Sequence, residues 1–185
     1  MSFWDKHGLA VMAVLLGGWW VGSRLPGLIA PERFGEVLKK IPRAVWPGRI
    51  LMAVVALWSG IRLYGAATDE WAWARGPVVV GVPLAYGLVI HFADQFLTVR
   101  AAAALMLLIA NEALRAADWH PSPWRLVVTV LSYIWVVSAI WMAAWPYQFR
   151  DLVFYIGESP QRCWWTCGAG VTVGAFLLIL AFTVY

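Results

Sequence analysis

Residues 125 to 145 read RLVVTVLSYIWVVSAIWMAAW, and after Arg125 no charged residue interrupts the run. A helix of that length rises about 30 Å, the thickness of a bilayer's hydrocarbon core. Five further apolar segments surround it in the chain, at residues 8 to 23, 50 to 67, 78 to 97, 101 to 117 and 168 to 185, each bounded by charges, Pro or Gly. The 185 residues are 62% hydrophobic and 13% charged, with a mean hydropathy of +0.72; soluble domains carry about 25% charged residues. A soluble globular protein is thereby excluded. Disorder is excluded as well, because 14 Trp, 8 Phe and 6 Tyr supply ample apolar surface.

The fold class that follows is an all-α polytopic integral membrane protein with about six transmembrane helices. Residues 1–185 form one transmembrane helical domain, with no room for a sizeable extramembrane domain. The third and fourth spans are the least clearly separated, since only Thr98, Val99 and Arg100 lie between them; five spans plus a re-entrant segment is the alternative. The run Leu9 to Val21 resembles a signal-peptide core, but Gly22-Ser23-Arg24-Leu25-Pro26 follows it instead of a small-x-small cleavage site. It is read as a retained first span.

Two segments suit the membrane surface. Near residues 31–42, Phe34, Val37, Leu38 and Ile41 share one side of a helix while Glu32, Arg33, Glu36, Lys39 and Lys40 surround the other. Residues 147 to 157 form a second such piece. Arg24, Arg33, Lys39, Lys40, Arg43, Arg49, Arg100, Arg150 and Arg162 fall on one predicted side, against Lys6, Arg75, Arg115 and Arg125 on the other. The positive-inside rule makes the first side cytoplasmic, with the loop 24–49 there and both termini opposite, in a bacterial inner membrane. Tryptophans cluster accordingly: Trp19, Trp20, Trp46, Trp141, Trp145, Trp164 and Trp165 near the inner face, Trp4, Trp71, Trp73, Trp119 and Trp124 near the outer. Only Trp58 and Trp135 are expected deep. The formal charge of +4 is explained by these membrane-flanking residues, so lipid is the expected contact and nucleic acid is not.

Ionisable residues within spans carry the functional signal, because a charge at a helix centre costs about 2.5–3.5 kcal/mol on insertion scales. Arg62 lies 12 residues into the second span and Glu112 lies 11 into the fourth. Both spans run the same way, so the two sit at matching depth and are expected to pair. Arg115, one turn further along, competes for Glu112, and Asn111 is placed to hydrogen-bond to a neighbouring helix. Such a pair reads either as a bond that fixes helix register or as part of a proton or ion path. His91 and Asp94, with Gln95 adjacent, form a second polar cluster at i and i+3 near the inner interface. A carboxylate beside an imidazole suits a relay, a quinone contact or a ligand's outer shell, and equally a histidine bonded to its own helix. As a pigment or haem ligand His91 is the candidate; His7 and His120 fall at the other boundary, leaving no second axial histidine.

Cys163 and Cys167 lie four apart and lack metal-ligand spacing, so they are read as buried thiols. Gly17, Gly18, Gly22, Gly170 and Gly174 mark helix-packing faces, and Pro83 marks a kink in the third span. No phosphate-binding loop, H-E-x-x-H, C-x-x-C-H or G-x-S-x-G occurs. The functional expectation is therefore a noncatalytic accessory or assembly subunit of a larger membrane complex, one serving electron transfer, photosynthesis or ion translocation. The alternative is a small transporter or channel using the intramembrane charges, and an intramembrane enzyme is the third reading.

Overall fold

The computed structural model describes residues 3–67, 69–92, 96–118 and 120–185. Its helices are α1 (Phe3–Ile29), α2 (Pro31–Lys40), α3 (Val45–Ala66), α4 (Arg75–Phe92), α5 (Leu97–Asp118), α6 (Arg125–Ala144), α7 (Pro146–Glu158) and α8 (Pro160–Thr183), with short 3-10 turns at Ile41–Arg43 and Asp69–Ala74. Among the described residues there is no strand. Six helices, α1, α3, α4, α5, α6 and α8, are long and apolar enough to cross a membrane. The chain is an all-α polytopic membrane protein whose outer surface contacts lipid.

Several boundaries differ from those read in the sequence, for identifiable reasons. Thr98, Val99 and Arg100 are not a junction but the first turn of α5. The break falls earlier, where Phe96 takes a left-handed backbone (φ 60°) and its carbonyl accepts the Val99 and Arg100 amides at 3.0 and 3.2 Å. A bulky residue in that region costs about 1–2 kcal/mol. Both flanking helices are then long enough to span, and no re-entrant segment is needed. Helix α3 starts at Val45 because Pro47 falls in its first turn, where a missing amide breaks no intrahelical bond. Helix α1 continues through Pro26 to Ile29. Arg24 is therefore helical rather than part of a loop, and Trp19 and Trp20 are followed by nearly three further turns of α1.

Helix α5 is the hub, touching α1, α3 and α6. Inside a bilayer, lipid is as apolar as leucine, so helices associate through close packing. Small side chains permit it: Ala101, Ala103, Ala110, Ala113 and Ala117 of α5 are all buried. One core cluster joins Leu9 and Leu16 of α1, Ala113 and Ala117 of α5, Val128 of α6 and Leu177 of α8. A second joins Val99 and Ala103 of α5 to Ala139 and Met142 of α6, with Phe149 of α7 against it. The most extensive helix pair is α1 with α8. They cross at Gly17 and Gly174, where a Cβ on either residue would stand 2.8 or 2.9 Å from the other's carbonyl oxygen.

The α2 and α7 helices lie together at one end of the bundle and approach through Gly35 and Gly157, whose backbones leave no room for a side chain. Thr98 Oγ1 donates to the Ala44 carbonyl and ties the starts of α3 and α5 together at that end. The opposite end gathers Ala66, Asp118, Arg125 and Tyr185. There Arg75 donates from Nε and Nη2 to the Ala67 carbonyl at 3.1 and 2.9 Å, capping the end of α3. Beyond this compact part, α3 leans on α5 and α4 leans on α3, giving a two-helix arm.

Candidate functional site

The arm's root holds the principal polar contact within the membrane. Arg62 of α3 and Glu112 of α5 form an ion pair, Nη2 to Oε1, with side chains 38% and 27% exposed. The geometry that brings them together is the packing of α3 along α5. Because α3 begins five residues before its apolar segment and α5 four before its own, the pair is not central. Arg62 is about 6 Å and Glu112 about 9 Å from their helix ends on the Tyr185 side. The desolvation cost is smaller there than at the bilayer centre, and a long arginine stem reaches the interface.

Arg115 does not share Glu112. It is exposed, turned into the space between α5 and α6, and pairs with no group among the described residues. Asn111 is also exposed and makes no hydrogen bond to a neighbouring helix among the described residues. His91 closes the last turn of α4, exposed, with its ring edge-on to Phe92 at 4.9 Å. Asp94 and Gln95 lie outside the described residues, so their relation to His91 does too. His91 and the Arg62–Glu112 pair sit at opposite ends of the arm and do not form one site. No group of three or more His, Cys, Asp or Glu with metal-holding geometry occurs among the described residues.

Cys163 and Cys167 are free and buried one turn apart on α8, with Arg24 of α1 against the same helix at Gly170. Gly27 of α1 leaves the space that the Cys167 sulfur and Phe34 fill. The Arg24 guanidinium lies 5.3 Å from the centre of the Trp20 ring, and Trp20 in turn packs against Trp135 at 5.5 Å. The Trp20 indole N–H is buried without a hydrogen-bond partner among the described residues. These contacts read as packing between α1, α8 and α6.

The Tyr185 end contains contacts that no spacing in the sequence announces. Tyr185 donates from its hydroxyl to the Trp124 carbonyl at 2.7 Å, and its ring meets His120 edge-on at 5.5 Å. His120 Nδ1 accepts the Ser122 amide at 3.2 Å, so the imidazole is held neutral with its proton on Nε2. Burial, followed by the nearby Arg125 guanidinium, pushes the His120 pKa below its ordinary 6.5. Burial likewise raises the Tyr185 phenol. Arg125 Nη1 donates to the Asp118 carbonyl at 2.6 Å and satisfies one of the open carbonyls at the end of α5. A histidine and an arginine flanking the Pro121–Pro123 turn were the available signals, but the partner, Tyr185, is 65 residues from His120 in sequence. No family model, no curated protein and no solved structure matches this chain.

Proposed function

We propose that the chain is a noncatalytic integral subunit, an accessory or assembly component of a larger membrane complex, acting through lateral association. The observation that carries this reading is the α3–α4 arm. The span Ala72–Phe92 has none of its residues buried, and Val80 and Phe92 are 69% and 78% exposed. Transmembrane helices are held by packing against one another, and α4 spends only the side facing α3 in that way. The rest of its surface is left for lipid or for another protein's helices. On this reading the complex is one that transfers electrons, harvests light or moves ions in a bacterial inner membrane. The α2–α7 end is cytoplasmic, as its nine Lys and Arg suggest; those residues serve the membrane surface rather than nucleic acid.

The test is mild isolation from the native membrane, followed by mass spectrometry and an absorption spectrum. Stoichiometric copurification with larger membrane subunits is expected, lost when Val80 and Leu84 are both replaced by polar residues. A visible absorption band lost in His91→Ala would assign His91 a pigment or haem. A monomeric, partnerless protein would overturn the reading. The partial exposure of Arg62 and Glu112 favours one second reading, a small transporter or channel in which these residues, Asn111, His91 and Asp94 line a path. That reading requires Glu112→Gln to abolish flux in proteoliposomes while leaving the fold intact.

A further inference from the structure

Between the Tyr185-side ends of α5 and α6 a groove of about 360 Å³ opens, lined among others by Leu114, Arg115, Asp118, Arg125, Leu126 and Tyr133. Its two guanidinium groups stand at headgroup level. Arg115 is three residues from the end of α5 and Arg125 is the first residue of α6, so both lie within about 5 Å of a helix end. Arg115 has no partner among the described residues, and Arg125 spends one donor on the Asp118 carbonyl of the five a guanidinium offers. Thr129 also lines the groove, its hydroxyl already donated to the Arg125 carbonyl.

Leu114 and Leu126, each adjoining one of the two arginines, put apolar surface beside the guanidinium groups. Tyr133 lies two turns below Arg125, and helical side chains lean toward the helix N-terminus. Tyr133 is the deepest of the lining residues, about 12 Å below Arg125 along α6. The groove is cationic at its mouth, with apolar side chains beside and below the two arginines, a combination that suits a phosphate-bearing lipid and its acyl chain. Its charge narrows the headgroup. Two guanidinium groups against the Asp118 carboxylate leave one positive charge, which a phosphodiester neutralises, and Asp118 is then free to accept a hydrogen bond from a headgroup hydroxyl.

We infer that this groove binds one anionic phospholipid with a hydroxyl-bearing headgroup, its phosphodiester between Arg115 and Arg125 and one acyl chain along Leu126 and Tyr133. A free phosphate would match the guanidinium groups but leave the apolar wall unused. A partner helix would need a carboxylate at this level. The site is independent of the arm, so it stands or falls separately from the subunit reading.

The experiment is native mass spectrometry of the delipidated full-length protein titrated with dioleoylphosphatidylglycerol or dioleoylphosphatidylcholine. One phosphatidylglycerol per chain is expected, retained at about tenfold lower concentration than phosphatidylcholine, the scale of one to two lipid–arginine attractions. Arg115→Gln should weaken phosphatidylglycerol binding about fivefold without changing the melting temperature, because Arg115 makes no bond to the described residues. Leu126→Trp, which fills the apolar wall from an exposed position, should remove retention of both lipids. Excess inorganic phosphate should displace nothing. Equal retention of the two lipids, an unchanged preference in Arg115→Gln, displacement by phosphate, or a photo-crosslink from position 115 to another protein in native membranes instead of to lipid would each overturn the assignment.

Discussion

The crossing of α1 and α8 predicts a large effect from a single methyl group. Alanine at position 174 places its Cβ 2.9 Å from the Gly17 carbonyl oxygen, 2.9 Å from Val21 Cγ2 and 3.1 Å from Trp20 Cβ, where ordinary contact begins at 3.4 Å. The nearest atom is backbone and cannot rotate away, so α8 must retreat from α1 by about 0.5 Å along a close-packed interface. Overpacking of this kind costs about 1–3 kcal/mol, a shift of about 5- to 150-fold in the unfolding equilibrium. Alanine's better helix propensity, worth about 1 kcal/mol in water, offers little offset, because separated helices in a membrane keep their backbone bonds.

Gly18→Ala is the internal control, since nothing lies within 4 Å of a Cβ there. The double variant Gly17→Ala/Gly174→Ala should cost less than the two single losses together, because one separation relieves both clashes. Equilibrium unfolding by increasing dodecyl sulfate fraction in mixed micelles reads the unaltered protein, the three single variants and the double variant, followed by tryptophan fluorescence; Trp20 and Trp135 lie beside the crossing, 5.5 Å apart. If Gly174→Ala unfolds at the same fraction as Gly18→Ala and the unaltered protein, the close approach does not hold the pair and the packing argument fails.

Other outcomes follow from the same physics. A double-mutant cycle on Arg62→Gln and Glu112→Gln should give a coupling of about 0.5–1.5 kcal/mol, the range of interhelical polar contacts in membranes; zero coupling would mean the two side chains do not support each other. Tyr185→Phe removes the hydroxyl bond to the Trp124 carbonyl and should cost about 1 kcal/mol, with faster amide exchange at residues 180 to 185 as the local readout. His120, whose folded pKa is depressed, stabilises the fold fully above pH 6.5 and loses that contribution as pH falls through the folded value. Unfolding measured from pH 7.5 to 5 should therefore show stability falling toward acid, with the slope reduced in His120→Gln; an equal slope in that variant would assign the effect elsewhere.

The six spans were legible because each is a local sum. Residues 126–145 contain no charge, and any chain carrying such a run is driven into a bilayer whatever surrounds it. The short helices α2 and α7 were legible as helices for the same reason, from patterning within three turns. Ends were less legible. Pro26 and Pro47 look like stops, yet α1 passes through the first and α3 begins before the second, since a proline near a helix end breaks few bonds. Those few residues move Arg62 and Glu112 from the membrane's middle toward one side.

Composition, span number and the concentration of basic residues at one end were determined by the sequence by itself, because transfer into a bilayer depends on each residue's own free energy and adds along the chain. Helix neighbours were decided only in three dimensions. That Glu112 meets Arg62 while Arg115 turns into the α5–α6 groove, that α5 becomes the alanine-lined hub, and that α4 is left without a buried residue all depend on which backbones can approach closely. Close approach is a property of two surfaces at once, set by glycines such as Gly17 and Gly174 meeting across more than 150 residues of chain.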